Sequence, residues 1–222
     1  MVLAVRNGAR FVADAIESIL AQSVMPHEII VVDGSSQDAT RDIAAQYPLV
    51  RVLPQRTTGI GAAWNEGIAA SSGAIIAFLS HDDIWLPGKL ARQLDHLAST
   101  PHCRGTVTHV VHELLPGTHC PPAFRADLLG RPVPGWIMET LAMRRSALAA
   151  VGPFDEQLGT AEDTDWFARA RDLGVTVDVL PECLVRKRVH VSSNTLTQVE
   201  GPGVLLEVLR RSIVRKRAGA EG

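Results

Sequence analysis

The sequence predicts a single α/β domain on a mostly parallel central sheet flanked by helices. Three observations carry that expectation. Short β-rich apolar runs alternate with amphipathic helical patterns through the first hundred residues. The runs at 28–34 and 74–80 are continuously apolar, as strands buried on both faces must be. Each run closes on a turn or polar signal: Asn7-Gly8, Asp33-Gly34 or Ser80-His81-Asp82-Asp83.

Taken in order, Val2–Val5 is a short first strand, and residues 9–22 then set Val12, Ile16, Ile19 and Leu20 at helical spacing. EIIVVDG is the second strand, Asp38 to Gln46 a helix, 50–55 the third strand, 59–71 a small-residue helix and 74–80 the fourth strand. Trp85-Leu86-Pro87 opens a further helix, with proline near its first turn. Beyond residue 100 the pattern loosens. It gives a strand over 106–112, a proline- and turn-rich stretch over 113–135 and a helix over Arg145–Val151. A helix over 162–174 follows, with Trp166, Phe167, Ala170 and Leu173 on one face and Gly174 as its stop. A strand over 175–181 and a basic amphipathic helix over 203–217 complete the chain. With no internal repeat and no linker of disordered composition, this reads as one domain.

Composition narrows the function. The 222 residues can bury an ample core, and 46% apolar with 21% charged residues is ordinary for a globular protein. A net charge of −2 gives no reason to expect nucleic acid as a partner. Cys103, Cys120 and Cys183 are too few and too odd for a disulfide framework, which indicates a reduced, intracellular protein. No apolar run approaches the ~20 residues that span a bilayer. The N-terminal apolar stretch is too short for a secretion signal, so the expected location is cytoplasmic.

Three acidic clusters fall where a parallel sheet binds ligands, outside the carboxyl ends of its strands. Asp33 ends the second strand, Asp82 and Asp83 follow the fourth, and Glu162, Asp163 and Asp165 begin a later helix. Asp33 in an Asp-Gly turn is equally well explained as a turn former. A doubled carboxylate at a strand end is a natural site for Mg²⁺ or Mn²⁺, although a helix-capping pair before Pro87 is the alternative. The dinucleotide fingerprint is missing, since Trp64 stands where its third glycine belongs, and no GxxxxGK[ST] loop exists. A phosphate ligand would then be held by a metal, helix N-termini and scattered side chains.

In order, VRNGARFVADAIESILAQS, EIIVVDGSSQDAT, GIGAAWNEGIAASSG, IAFLSHDDIWLPGKLARQL, VGPFDEQLGTAEDTDWFARARDLG and VRKRVH resemble the family 2 glycosyltransferases, from about residue 2 to about 195. The resemblance implies a Rossmann-like GT-A fold and inverting transfer of a sugar from a nucleotide-diphosphate donor, most often a uridine diphosphate sugar, to an acceptor hydroxyl. It implies a GT-A domain over 1–200, with the donor half at about 1–100 and the acceptor half at about 101–200. Residues 201–222 then carry the C-terminal helix.

By the same resemblance, Val5 and Asn7 approach the nucleotide base, Asp33 contacts base or ribose, and Asn65 lines the donor site. Asp82 and Asp83 hold the metal and diphosphate, Asp163 is the general base, and Arg188 and His190 form a basic motif near the diphosphate, with His190 a further metal ligand. The chemistry agrees with these residue types. A divalent cation neutralises the charge that develops on a diphosphate leaving group, and a positioned carboxylate takes the proton of the incoming hydroxyl. An in-line attack inverts the anomeric centre.

The chain departs from that pattern in places. Met1 lies where family members have several more residues, Arg6 replaces an aromatic residue, and Ser80 stands where the family often has aspartate. A weaker metal site, or a contribution from His81, is then expected. His102, Cys103, His109, His112, His119 and Cys120 crowd together, but their spacings fit no standard zinc pattern and read as a polar cleft wall, with His112 placed to touch sugar. Trp64 and Trp166 read as core, and Trp136 as a sugar-stacking candidate. The helix at 203–217, with Val204, Leu205, Val208, Leu209 and Ile213 on one side, suits a membrane surface bearing lipid-linked acceptors; packing on its own domain or a homodimer is the alternative. A catalytically lapsed nucleotide-sugar binding protein and a nucleotidyltransferase are the competing functions.

Overall fold

The computed structural model describes residues 1–120, 124–159, 161–190 and 202–220. Four parallel strands form the N-terminal half of the sheet: β1 (Val2–Val5), β2 (Ile29–Asp33), β3 (Val50–Pro54) and β4 (Ile75–Ser80), in the spatial order β3-β2-β1-β4. Their side chains alternate between two cores. Val2, Ala4, Ile30, Val32, Ile76 and Phe78 enter one, while Leu3, Val5, Ile29, Val31, Ala77 and Leu79 enter the other. Both faces are covered, which is why these strands read as unbroken apolar runs.

Helix α1 (Val12–Leu20) covers the second core through Val12, Ala15, Ile16 and Ile19. The short α2 (Thr40–Ala44) starts later than expected because Asp38 stays outside it and accepts the Thr40 amide at 3.1 Å. Helix α3 (Ile60–Ala70) lies on the first core. A Cβ at Gly67 would stand 2.2 Å from Val2 Cγ1, so the helix approaches β1 this closely only because that position lacks a side chain.

Beyond β4 the sheet continues through β5 (Ile84–Trp85), β6 (Gly105–Leu114), β7 (Val133–Pro134), β8 (Ala142–Arg144) and β9 (Val177–Val189). The full order is β3-β2-β1-β4-β8-β6-β9-β5, with β7 beside β6. β8 joins β4 and β6 antiparallel, β6 and β9 run parallel, and β5 returns antiparallel to β9.

Two expectations are corrected here. Ile84 and Trp85 form a strand opposite Arg186 and Val185 rather than a helix start; α4 (Lys89–Ser99) begins only after Gly88, whose φ of 84° turns the chain. The strand expected over 175–181 runs on to Val189. Pro181 does not end it, because the register steps from Leu180 opposite Thr108 to Cys183 opposite His109, and a bulge is where a strand tolerates proline.

Helices α5 (Arg145–Val151) and α6 (Glu162–Asp172) lie as expected, and Gly174 (φ 69°) stops α6. Trp166 and Ala170 are buried, but Leu173 is exposed. The last helix, α7 (Pro202–Ala220), does not pack on the domain through its apolar stripe, as the alternative reading of that helix expected. Its polar side docks on the domain, through Arg211 to Asp155 at 2.7 Å and Ser212 and Arg215 to Asp172 at 3.0 Å. Of the expected apolar stripe only Val208 is buried, and Leu205, Leu209 and Ile213 are exposed, as are Leu206 and Val214. The proposed boundary at 200/201 and the end of the resemblance near 195 lie outside the described residues. No helix among the described residues is long and apolar enough to cross a membrane.

Candidate active site

The carboxyl ends of β1, β2 and β4 meet at one rim. Val5 pairs with Asp33 across β1 and β2. Asp33 is fully buried; its Oδ2 accepts from Arg41 Nε at 2.7 Å and the Ser36 amide at 3.2 Å, while Oδ1 has no partner among the described residues. An orphaned buried acceptor is open to a donor from a water or a ligand. Asn7, at φ 50°, donates its N–H to Ser36 Oγ at 2.8 Å and accepts the Gln37 amide at 2.8 Å, tying the β1 loop to the β2 loop. Asn65 is not at this rim in the same sense: its amide holds the Phe154 backbone on both sides, at 2.8 and 3.0 Å, and also reaches Glu156.

Next to the rim lies a ring of alternating charge built by the ends of β4 and β9. Asp82 Oδ2 stands 3.1 Å from His190 Nε2. Asp83, fully buried, accepts the Arg188 amide at 3.0 Å and Lys187 Nζ at 2.9 Å. Arg188 turns the other way, onto Asp14 at 2.6 Å, with its guanidinium over the Phe11 ring. Lys187 also reaches Glu139 Oε1 at 3.3 Å, and the same oxygen accepts Ser80 Oγ at 2.6 Å. Glu139 lies on a single 3-10 turn, Met138–Thr140, whose backbone is held by Trp85 Nε1 on the Glu139 carbonyl (3.2 Å) and Gln93 Nε2 on the Thr140 carbonyl (2.9 Å).

Electrostatics follow from this arrangement. Burial opposes ionisation of Asp82, but the His190 hydrogen bond and the nearby His81 and Lys187 hold its carboxyl well below the usual range. Burial, with Asp82 and Glu139, pushes Asp83 up, and the Lys187 ammonium opposes that shift. Lys187 is itself held above its ordinary value by Asp83 and Glu139, although burial opposes this. Burial pushes the His81 imidazole down. Its ring packs against Gly8, where a Cβ would come within 2.4 Å of His81 Cδ2.

The donor set suits a hard divalent cation. Carboxylates Asp14, Asp82, Asp83 and Glu139 face the permanent cations Lys187 and Arg188, leaving an excess of negative charge that such an ion would neutralise. The Asp82–His190 spacing of 3.1 Å matches adjacent ligands on one ion with bonds of about 2.1 Å. Asp83 backs this pair, with both its oxygens already engaged by protein donors.

Within reach of the Glu139 and Lys187 charges, α6 opens with Glu162, Asp163 and Asp165 in its first turn. Asp165 pairs with Arg169 at 2.7 Å. Asp163 Oδ1 accepts the Thr164 amide at 2.6 Å. Burial, reinforced by the Glu139 charge, pushes Asp163 up to about 7; burial and Asp163 push Glu162 up to about 8. A carboxyl near neutrality is well matched to general-base work. Trp136, 47% exposed, stands edge-on to Phe167, whereas Trp64 and Trp166 are core. His112 lies opposite Lys187 on β6, and burial pushes its pKa down to about 4. Cys103 groups with His96 and Asp178, at the far end of β6 and β9 from the ring.

Sequence reasoning missed Glu139, Lys187 and Asp14. The available signals were a glutamate after the apolar run Trp136-Ile137-Met138 and a lysine at an inward position of a strand that had not been recognised.

Residues 1–149 match the sequence profile of Glycosyl transferase family 2. An uncharacterized glycosyltransferase of Rickettsia prowazekii is 30% identical over 214 residues, covering 89% of this chain and 65% of that protein. A putative teichuronic acid biosynthesis glycosyltransferase, TuaG of Bacillus subtilis, is 34% identical over 96 residues, or 41% of this chain and 38% of its own. The chain thus spans about two thirds of the Rickettsia protein's length. Among solved structures, S. aureus TarS 1–349 in complex with UDP-GlcNAc superposes with TM-score 0.74 at 18% identity, covering 96% of this chain and 64% of that one. A mannosyltransferase from Pyrobaculum calidifontis in complex with GDP-Man and Mn²⁺ gives 0.65 at 16% identity, covering 98% and 72%. Fold and family agree: the chain belongs to the family 2 glycosyltransferases and has their GT-A fold.

Proposed function

We propose that the protein is an inverting transferase that moves a sugar from a uridine diphosphate donor to an acceptor hydroxyl, with Asp163 as general base and Mg²⁺ or Mn²⁺ held by Asp82 and His190, backed by Asp83. The observation that carries this reading is the pairing of two opposed acidic environments, both within reach of the Lys187 charge. Asp82 is kept ionised beside His190, while Asp163 is held near neutrality at the start of α6. One suits a cation and a diphosphate; the other suits a proton. Val5, Asn7 and Asp33 receive the base and ribose, the unpartnered Asp33 Oδ1 accepting from the ligand. When bound, the cation neutralises charge developing on the leaving diphosphate. Arg188 lines the same end, donating to the Asp14 carboxylate and to the Asp82 backbone carbonyl.

Thermal shifts with UDP, GDP and their sugars, each with and without Mn²⁺, test the reading. A nucleotide at about 100 times its Kd adds roughly 2.7 kcal/mol, or about 5–10 °C at this chain length. A Mn²⁺-dependent rise with UDP is expected. A rise with GDP alone overturns the donor assignment, and flat curves for folded protein overturn the nucleotide-sugar reading.

The acceptor side is assigned to a cell-envelope polysaccharide on a lipid carrier, met at the cytoplasmic membrane face through α7. Support comes from the exposed Leu205, Leu206, Leu209, Ile213 and Val214 and from the neighbouring cations Arg210 and Lys216. Flotation with anionic vesicles is expected to carry the protein. If the protein stays behind and sediments as a dimer, α7 is a subunit interface.

A further inference from the structure

Ser80, at the end of β4, faces the acidic ring, and its hydroxyl is not alone there. It donates to Glu139 Oε1 at 2.6 Å. That oxygen is also 3.3 Å from Lys187 Nζ, which in turn stands 2.9 Å from Asp83. Glu139 comes from a segment almost sixty residues away, yet it is buried and its turn is fixed at both carbonyls by Trp85 and Gln93. The fold therefore brings a carboxylate to the tip of the Ser80 side chain and holds it there. His81, the candidate helper, packs its ring against Gly8 instead.

We propose that Glu139 is the third carboxylate of the cation and donor site, delivered through the Ser80 hydroxyl, and a positioning residue that keeps the Lys187 ammonium beside Asp83. The proposal rests on the cation reading given above. Its physical content is that the negative charge needed at the end of β4 is supplied in space by Glu139 rather than in sequence by residue 80. A buried charge this close acts on a divalent ion through a poorly screened path. Removing it weakens the ion's attraction and leaves the Lys187 ammonium with one carboxylate partner instead of two, so that its charge opposes the incoming cation more strongly. Since Ser80 Oγ and Glu139 Oε1 are in hydrogen-bond contact, moving the charge from one position to the other is a short displacement.

Mn²⁺ binding, read from loss of the free-ion electron paramagnetic resonance signal in the presence of UDP, tests this directly. Wild type is expected to bind, and Glu139→Gln to bind about tenfold more weakly while remaining folded by circular dichroism. The double variant Ser80→Asp/Glu139→Gln restores the charge at the neighbouring position and is expected to recover most of the lost affinity. A purely structural role for Glu139 would not be rescued that way. Unchanged Mn²⁺ affinity in Glu139→Gln, or no recovery in the double variant, overturns the proposal while leaving the cation reading standing. Absence of Mn²⁺ binding to wild type with UDP overturns both. If Glu139→Gln fails to fold, Glu139→Asp decides the matter: it keeps the charge and must bind Mn²⁺ within a few-fold of wild type.

Discussion

Asp163→Asn is expected to lower sugar transfer by roughly 10²–10⁴ while leaving UDP binding unchanged. The amide is close in size to the carboxyl and still accepts from the Thr164 amide, so the start of α6 keeps its geometry. What disappears is a proton acceptor whose pKa, raised by burial and by Glu139, lies at about 7. The same shift sets the pH dependence. Below that value the base is protonated, so kcat/KM should rise with pH and level off above it. The stability sign is opposite. A carboxyl raised from its ordinary value contributes stability fully present below the unfolded pKa and lost as pH rises through the folded one, here about 7 for Asp163 and about 8 for Glu162. The wild type is therefore expected to lose stability from weakly acid to weakly alkaline pH, and Asp163→Asn to lose less. Unaltered turnover in the variant, or a flat pH profile across neutrality, would remove Asp163 from the mechanism.

The parallel half of the fold was legible because each strand carries its own signal. Val2–Val5, Ile29–Asp33 and Ile75–Ser80 are apolar on both faces, and that pattern is local. The antiparallel half was not legible, for equally physical reasons. Ile84–Trp85 and Ala142–Arg144 are too short to show a period, and they become strands only because β9 and β4 offer them partners. Pro181 looked like a terminus because a bulge depends on the partner strand's register. The site divided along the same line. Asp82, Asp83 and Asp163 sit in runs of acidic residues at element boundaries and were visible. Glu139 and Lys187 were not, since each looks ordinary until a turn and a strand bring them within 3.3 Å of each other. Trp85 illustrates the link: a core residue by composition, it also holds the Glu139 carbonyl and so fixes part of the site.

The adjacent aspartates should separate cleanly on substitution, since the structure gives them different work. Asp82→Asn is expected to weaken Mn²⁺-dependent UDP binding by roughly tenfold to a hundredfold. Its carboxylate faces His190 and is partly open to the cleft, at 16% side-chain exposure, and an amide is a poor ligand for a hard cation. Asp83→Asn should act first on stability. Both Asp83 oxygens already serve protein donors, the Lys187 ammonium and the Arg188 amide. Removing one member of a buried ion pair leaves the other charge uncompensated, typically at about 3–5 kcal/mol. Glu139 retains part of the hold on Lys187, so the lower end of that range is expected, a fall of several degrees in Tm. Calorimetric melting and UDP titration with Mn²⁺ on the two variants measure the split. The reverse result, Asp82→Asn melting earlier and Asp83→Asn losing only ligand affinity, would mean that the cation sits behind Asp83 where Lys187 now stands, and that the ammonium must leave before the donor can bind.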